Sequence, residues 1–229
     1  MSPYPLKLET FLRILGIKYV VDYNKPRGSK GKSPWINFNG QELTDSQLIL
    51  EYLSRYFEKD LDGRLDDTDR AIARMTRVMV EERYYWCGAL ERYREGQGLK
   101  DKELFAPFPF VPRFLDGFIK GRVAKGFIKN GNAHGVGRHS VDTLRKFGLG
   151  DLEAVSEILG TDDYFFGGSE PCVLDITVFS FVCMIMFCSP ETSVYQRKVE
   201  EDLVNLKEHM LRMKRRFWPD WDECLAKRE

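Results

Sequence analysis

The chain opens MSPYPLKLETFLRILG, and its apolar residues recur at helical spacing: Leu8, Phe11, Leu12 and Leu15 share one face, with Lys7, Glu9 and Arg13 set off it. Ser2–Pro3 reads as the helix start. A serine hydroxyl can accept from the free N–H groups of the first turn, and proline suits the first helical position. Gly16 closes the helix. The period then shifts. Residues 17–23 (IKYVVDY) are β-branched and aromatic and predict a strand, followed by a basic loop at 25–33 (KPRGSKGKS). Residues 35–38 predict a short strand, Asn39-Gly40 a two-residue hairpin turn, and residues 41–43 its partner strand. Thr44-Asp45-Ser46 opens a helix whose stripe is Leu48, Ile49, Tyr52, Leu53 and Tyr56. Helix, strand, hairpin and helix together predict an α/β unit with a mixed sheet.

From residue 67 onward the pattern is helical. Ile72, Met75, Met79, Trp86 and Leu90 predict one long helix to about Arg94. The span 96–138 reads as a break: Pro107, Pro109 and Pro112 stand among Phe105, Phe108, Phe110 and Phe114, and GNAHGVG follows. It is too apolar for a disordered linker, so it is expected to be an ordered insertion packed on the helices. Helices resume at 140–159, 172–188 and 196–217, the last with Val199, Leu203, Leu206, Met210, Met213 and Phe217 on one face. Trp218 and Trp221 are expected to pack on this helical unit. The division is an α/β domain at 1–62 and an all-helical domain at 67–229 carrying the insertion 96–138.

Composition narrows the class. The 229 residues are enough for one sizeable core or two small packed domains. Lys plus Arg and Asp plus Glu are both 35, so no net field points to nucleic acid or an anionic membrane. Five cysteines without a CxxC pair, and no signal peptide pattern, point to a reducing, cytoplasmic setting. The apolar run at 174–188 contains Asp175, Thr177 and Ser180 and is shorter than the roughly 20 residues a membrane span needs; it reads as a buried helix.

The candidate chemistry flanks the hairpin. Ser33-Pro34 precedes it, and X–Pro is the peptide bond where cis is cheap; a cis bond there would turn the Ser33 backbone N–H and C=O outward to dock an extended peptide. Asp45 and Ser46 sit where a helix N-terminus favours a carboxylate. An amino acid end suits them: its ammonium at Asp45, its carboxylate at Ser46. Each also has a purely structural reading, as a turn proline and a helix cap. The basic loop is equally a solvated loop or an attractor for an anionic ligand. His134 and His139 have no nearby cysteine to complete a tetrahedral metal set, and a structural turn is the expectation.

The order SPY-x-LK, SPW, NG, L-TDSQLI and YL resembles the glutathione transferase superfamily, a thioredoxin-like domain followed by a helical one. AHGVGRHS (133–140), YFFGGSEPCVLDITVFS (164–180) and FWPDWDE (217–223) are similar to its failed-axon-connections, metaxin-like branch. The resemblance spans nearly the whole chain. It implies glutathione as ligand, held by Ser33, Pro34, Asp45 and Ser46, and Ser2 at the position that activates the thiol. Pro5 stands where a redox-active relative would carry a second cysteine, so dithiol exchange through SPYP is excluded. It implies that Asp175 ties its helix start to the preceding loop, with Cys172 replacing the usual Ser or Thr. It also implies a sheet strand ahead of Ser2, for which this sequence has no residues: the expectation is a fragment, an alternative start or a truncated gene model, or else a first domain that is rearranged, with both helices uncovered on their core-facing sides.

Two functions stand. One is a glutathione-binding protein with weak or no conjugating activity toward a hydrophobic electrophile. The other is a non-catalytic interaction protein, linked by the resemblance to axon development or to transport at the mitochondrial outer membrane. A homodimer is common in the superfamily; no metal is implied.

Overall fold

A computed structural model describes residues 2–22, 24–94, 116–189 and 192–226. The first helix, α1 (Pro3–Ile14), has proline in its first turn, and the chain leaves it through Gly16 at φ +67°. Ser2 is its N-cap, yet the hydroxyl makes no cap bond, contrary to the expectation. Lys7 departs from the sequence reading more sharply. It is 0 % exposed, because it lies four residues before Phe11 and so shares the buried face.

Strands β1 (Trp35–Phe38) and β2 (Gln41–Thr44) pair antiparallel, and Asn39 and Gly40 both take positive φ, as the tight hairpin turn requires. α2 (Ser46–Tyr56) follows. The expected mixed sheet is not formed: among the described residues the sheet has these two strands alone. Residues 17–22 are irregular rather than a strand, since a β-rich stretch becomes one only beside a partner, and Val20 is 95 % exposed. Tyr19 instead folds back on α1, donating to Glu9 and accepting from Arg13.

The helical unit begins with α3 (Asp67–Val78), capped by Asp66, and runs through a π-helical segment, Met79–Tyr84, into α4 (Tyr85–Arg94). The expected long helix is present but carries this one wider turn. The aromatic and proline-rich part of the expected break at 96–138 lies outside the described residues. Its second half is a helix, α5 (Asp116–His134), closed by a 3₁₀ turn at Val136–Arg138. Four glycines make α5 read as a loop. One of them, Gly131, serves packing: a Cβ there would stand 2.7 Å from Leu90, so the glycine lets α5 close on α4. Next come α6 (Val141–Leu159), α7 (Val173–Cys188), α8 (Val194–Glu201), α9 (Val204–Phe217) and α10 (Trp221–Ala226). The single helix expected at 196–217 is thus two, broken at 202–203. Leu203 stays buried there, which is why the apolar face reads as continuous.

α7 is buried nearly all round and forms the centre of the core, against α1, α3, α8 and α9. Leu8, Phe11 and Leu12 of α1 and Ile49, Leu50 and Leu53 of α2 join the same core. The uncovering expected for these two helices is not observed on α1, which the helical unit covers, whereas on α2 Leu48 and Tyr56 of the predicted stripe are 58 % and 55 % exposed. Trp218 and Trp221 are buried as expected, though not on the helical unit alone: the Trp218 indole donates to Thr10 of α1 at 3.0 Å. No described helix is long and apolar enough to cross a membrane.

Candidate functional site

Register decides what meets at the open end of the hairpin. Trp35 pairs with Thr44, so Ser33-Pro34, just before β1, and Asp45, just after β2, leave the sheet side by side. The Ser33–Pro34 bond is cis, as the sequence reading anticipates. Ser33 is exposed, and no described group bonds to its backbone N–H or C=O.

Asp45 stands in an unusual backbone conformation, φ 76° and ψ 120°, for a residue with a side chain. Such positions cost about 1–3 kcal/mol and gather at functional sites. Part of that cost is offset locally. One carboxylate oxygen, Oδ1, accepts from Gln47 N–H at 3.0 Å and Leu48 N–H at 3.2 Å, capping α2. The other oxygen has no partner among the described residues. The Ile49 N–H goes to the Asp45 carbonyl, so the Ser46 N–H is the first-turn amide that no described group uses. Ser46 itself is buried. A carboxylate oxygen of Asp45, the helix-start amide of Ser46 and the Ser33 peptide group, all without a described partner, thus belong to the segments that leave the open end of the hairpin.

The start of α1 is tied to the start of α2 through buried polar contacts. Lys7 Nζ donates to Gln47 Oε1 at 2.8 Å and to Glu81 Oε1 at 2.6 Å. Ser2 lies five residues before Lys7, about 7.5 Å along the helix axis. With its hydroxyl free of cap duty, Ser2 can donate to an anionic atom at the positive end of the helix dipole. Tyr4 cannot take that role. Its hydroxyl donates to the Glu81 carbonyl at 3.0 Å, and burial, with Tyr85 and nearby carboxylates, holds the phenol well above its ordinary range. Its ring meets Tyr85 and Phe181, so the first turn of α1 borders an aromatic wall. Pro5 follows without sulfur nearby in the motif. Across the hairpin, Lys25 stacks on Trp35 and the Ser29 N–H donates to Glu42, so the basic loop is partly tied down.

Other singled-out residues fall elsewhere. His134 ends α5, its ring tilted at 33° against Trp86 and 3.6 Å from Glu82, while His139 makes an edge contact with Phe147 before α6. The described residues hold no group of three or more metal-ligating side chains. Asp175 accepts from Cys172 N–H at 2.8 Å and from Phe165 N–H at 3.0 Å, tying the α7 start to the loop before it, as the resemblance implies. Sequence reasoning missed the third partner, His209 Nε2 at 2.8 Å, and it missed the burial of Lys7. Both signals were legible as a polar residue in register with an apolar face.

The comparisons agree with this architecture. Residues 3–98 match the model of the glutathione S-transferase N-terminal domain, and residues 148–213 that of the C-terminal domain. The chain is 34% identical, over 99% of its length, to Failed axon connections of Drosophila melanogaster, and it spans 57% of that protein. It is 29% identical to the isoprene-epoxide–glutathione S-transferase of a Rhodococcus species, over 79% of this chain and 78% of that one. In shape it is similar to a beta-etherase of a Sphingobium species, with a TM-score of 0.63 at 19% identity over 97% of this chain and 94% of that one. A Gtt2-class glutathione S-transferase of Vibrio parahaemolyticus superposes with a TM-score of 0.53 at 18% identity, over 94% and 90%. With both domains matched in order and the whole chain aligned to Failed axon connections, this chain belongs to the glutathione transferase superfamily, in its failed-axon-connections branch.

Proposed function

We propose that this chain binds glutathione in the corner between the hairpin and the starts of α1 and α2, and that it conjugates it slowly or not at all. The observation that carries the reading is Asp45. One of its oxygens is spent on two α2 amides while the other is open, beside the unused Ser46 N–H and the Ser33 peptide group. A glutamyl end supplies the matching set: an ammonium for Asp45, a carboxylate for the Ser46 N–H, and a peptide for Ser33, with Pro34 beside it. The cysteinyl sulfur then comes toward Ser2, whose hydroxyl and helix dipole favour the thiolate. An electrophile would lie against Tyr4, Tyr85 and Phe181, an apolar wall that suits a small hydrophobic substrate. The name of the Rhodococcus relative makes an epoxide the first substrate to try.

A second reading, a non-catalytic interaction protein, is supported by the match to Failed axon connections over nearly all of this chain. Self-association and docking at the mitochondrial outer membrane belong to that reading. Calorimetric titration with glutathione separates the two, with Asp45→Ala as control. Micromolar to millimolar binding abolished by Asp45→Ala supports the first reading. No heat from a sample that melts cooperatively sinks it and leaves the second.

A further inference from the structure

Lys7 is an odd residue to bury. Its neighbours on the same face of α1, Leu8, Phe11 and Leu12, are held by apolar contact, which is the cheaper way to seat a helix. Lys7 is instead fully buried and spends its ammonium on two acceptors from two different elements, Gln47 of α2 and Glu81 of the π-helical segment. Glu81, 8 % exposed, is itself fixed on the far side by Arg77, whose guanidinium donates to Oε2 at 2.7 Å. The same residue holds α1 a second time, one turn earlier, where its backbone carbonyl accepts from Tyr4. Gln47 has no slack either: its amide nitrogen donates to Glu51 at 3.0 Å, and its backbone N–H donates to Asp45. A continuous relay thus runs from the helical unit, through α1, to the residue that opens α2.

We infer that the Lys7–Glu81 ion pair is a positioning device for the ligand corner, fixing the starts of α1 and α2, and with them Ser2 and Asp45, in one mutual geometry set by the helical unit. Apolar packing would let α1 slide or turn against α7 within its rotamer freedom; two short charge-assisted bonds of fixed direction do not. The π-helical segment contributes by carrying one residue more per turn than its flanks, which aims the Glu81 side chain and carbonyl together at α1. The inference rests on the glutathione reading for what the corner holds, but not for the geometry it imposes.

The test replaces the pair by apolar groups, Lys7→Met with Glu81→Met, and separately cuts the relay with Gln47→Met, which leaves the ion pair whole. Each protein is examined by thermal melting, by hydrogen exchange of the amides at 47–49, and by titration with glutathione. The expected result is a cooperative melt, close to that of the unmodified protein in Gln47→Met and lower in the double variant, which leaves Arg77 unpaired, with exchange at 47–49 faster by tenfold or more and glutathione affinity weakened by at least tenfold. Unchanged exchange at 47–49 in Gln47→Met overturns the inference, whether or not the double variant folds. Faster exchange with unchanged affinity overturns it as well. If the unmodified protein does not bind glutathione, the function proposed above fails, and the exchange data alone decide whether the pair positions the corner.

Discussion

The hairpin and α7 are both built from large apolar residues and put them to opposite use. Trp35, Ile36, Phe38 and Leu43 are each only partly buried, and Phe38 packs against Tyr52, Tyr56 and Phe57, an aromatic cluster with Tyr56 more than half in water. In α7, by contrast, eleven residues are buried, Asp175, Thr177 and Ser180 among them. The hairpin therefore adds little to the common core, and its structural return is the geometry of its open end. α7 supplies the core for both units and makes no described contact with Ser33, Asp45 or Ser46 of the candidate site. The core and the candidate site are separated in this fold, and they meet in α1, which rests on α7 and presents Ser2, and in α2, whose buried Ile49, Leu50 and Leu53 follow Asp45 and Ser46.

That separation can be broken most directly at Phe181, which is buried in α7 and meets Tyr4, Tyr84 and Tyr85. Phe181→Ala is expected to cost about 3–5 kcal/mol and to unfold both units in one denaturant transition. Phe38→Ala in the hairpin, removing a half-exposed ring, should cost only about 1–2 kcal/mol. Two resolved transitions, or equal losses, would refute the shared core. The next largest effect belongs to Asp175. Asp175→Asn cannot accept from Cys172, Phe165 and His209 together without a buried clash of donors, and about 2–3 kcal/mol should be lost in urea denaturation.

The other end of α1 gives a smaller, pH-dependent effect. Arg13 donates to Asp220 at 2.5 and 2.9 Å, and this guanidinium holds the Asp220 carboxyl well below its usual range. A carboxyl depressed on folding contributes stability that is fully present above its unfolded pKa of about 4 and fades as the pH falls toward its folded value. Asp220 is more than a third exposed, so water screens the pair and about 0.5–1 kcal/mol is expected. Thermal melts of Asp220→Asn should show the full deficit at pH 6 and a shrinking one below pH 4; a deficit that grows on acidification would reverse the assignment. Last, without any change in stability, the thiols should report the core. Cys87, pushed up to about 12 by burial, and the sealed Cys172 and Cys183 should resist a thiol reagent near pH 8, while the partly exposed Cys188 reacts first and Cys224, raised by burial and its bond to Asp220, more slowly.

Local chemistry made part of this readable in advance. Asn39-Gly40 fixed the hairpin because few residue pairs accept two positive φ angles, while the Asp175 cap was expected from the family resemblance. Misreadings arose where a residue answered to a distant neighbour. The glycines of α5 looked like breakers because their packing partner, Leu90, lies on another helix. Residues 17–22 have strand chemistry, but pairing is a property of two segments. Lys7 reads as off the apolar face, and its burial is made tolerable by Glu81 and Gln47, distant in sequence. At the candidate site, residue types were legible and their mutual placement was not, since that placement depends on the hairpin register and on the contacts of Lys7 with Gln47 and Glu81.

The clasp between Arg13 and Asp220 also sets a schedule. Its partners are 207 residues apart, and Trp218 closes over Thr10 across a similar interval. At roughly 5–20 residues per second of synthesis, α1 spends about 10–40 s on a nascent chain before the segment that completes its seat exists. During that interval an amphipathic helix with Phe11 and Leu12 on its face has no finished place to bury them. α1 is thus made 207 residues before the Asp220 that secures it, and a chaperone that shelters apolar helices would find it open for that whole interval.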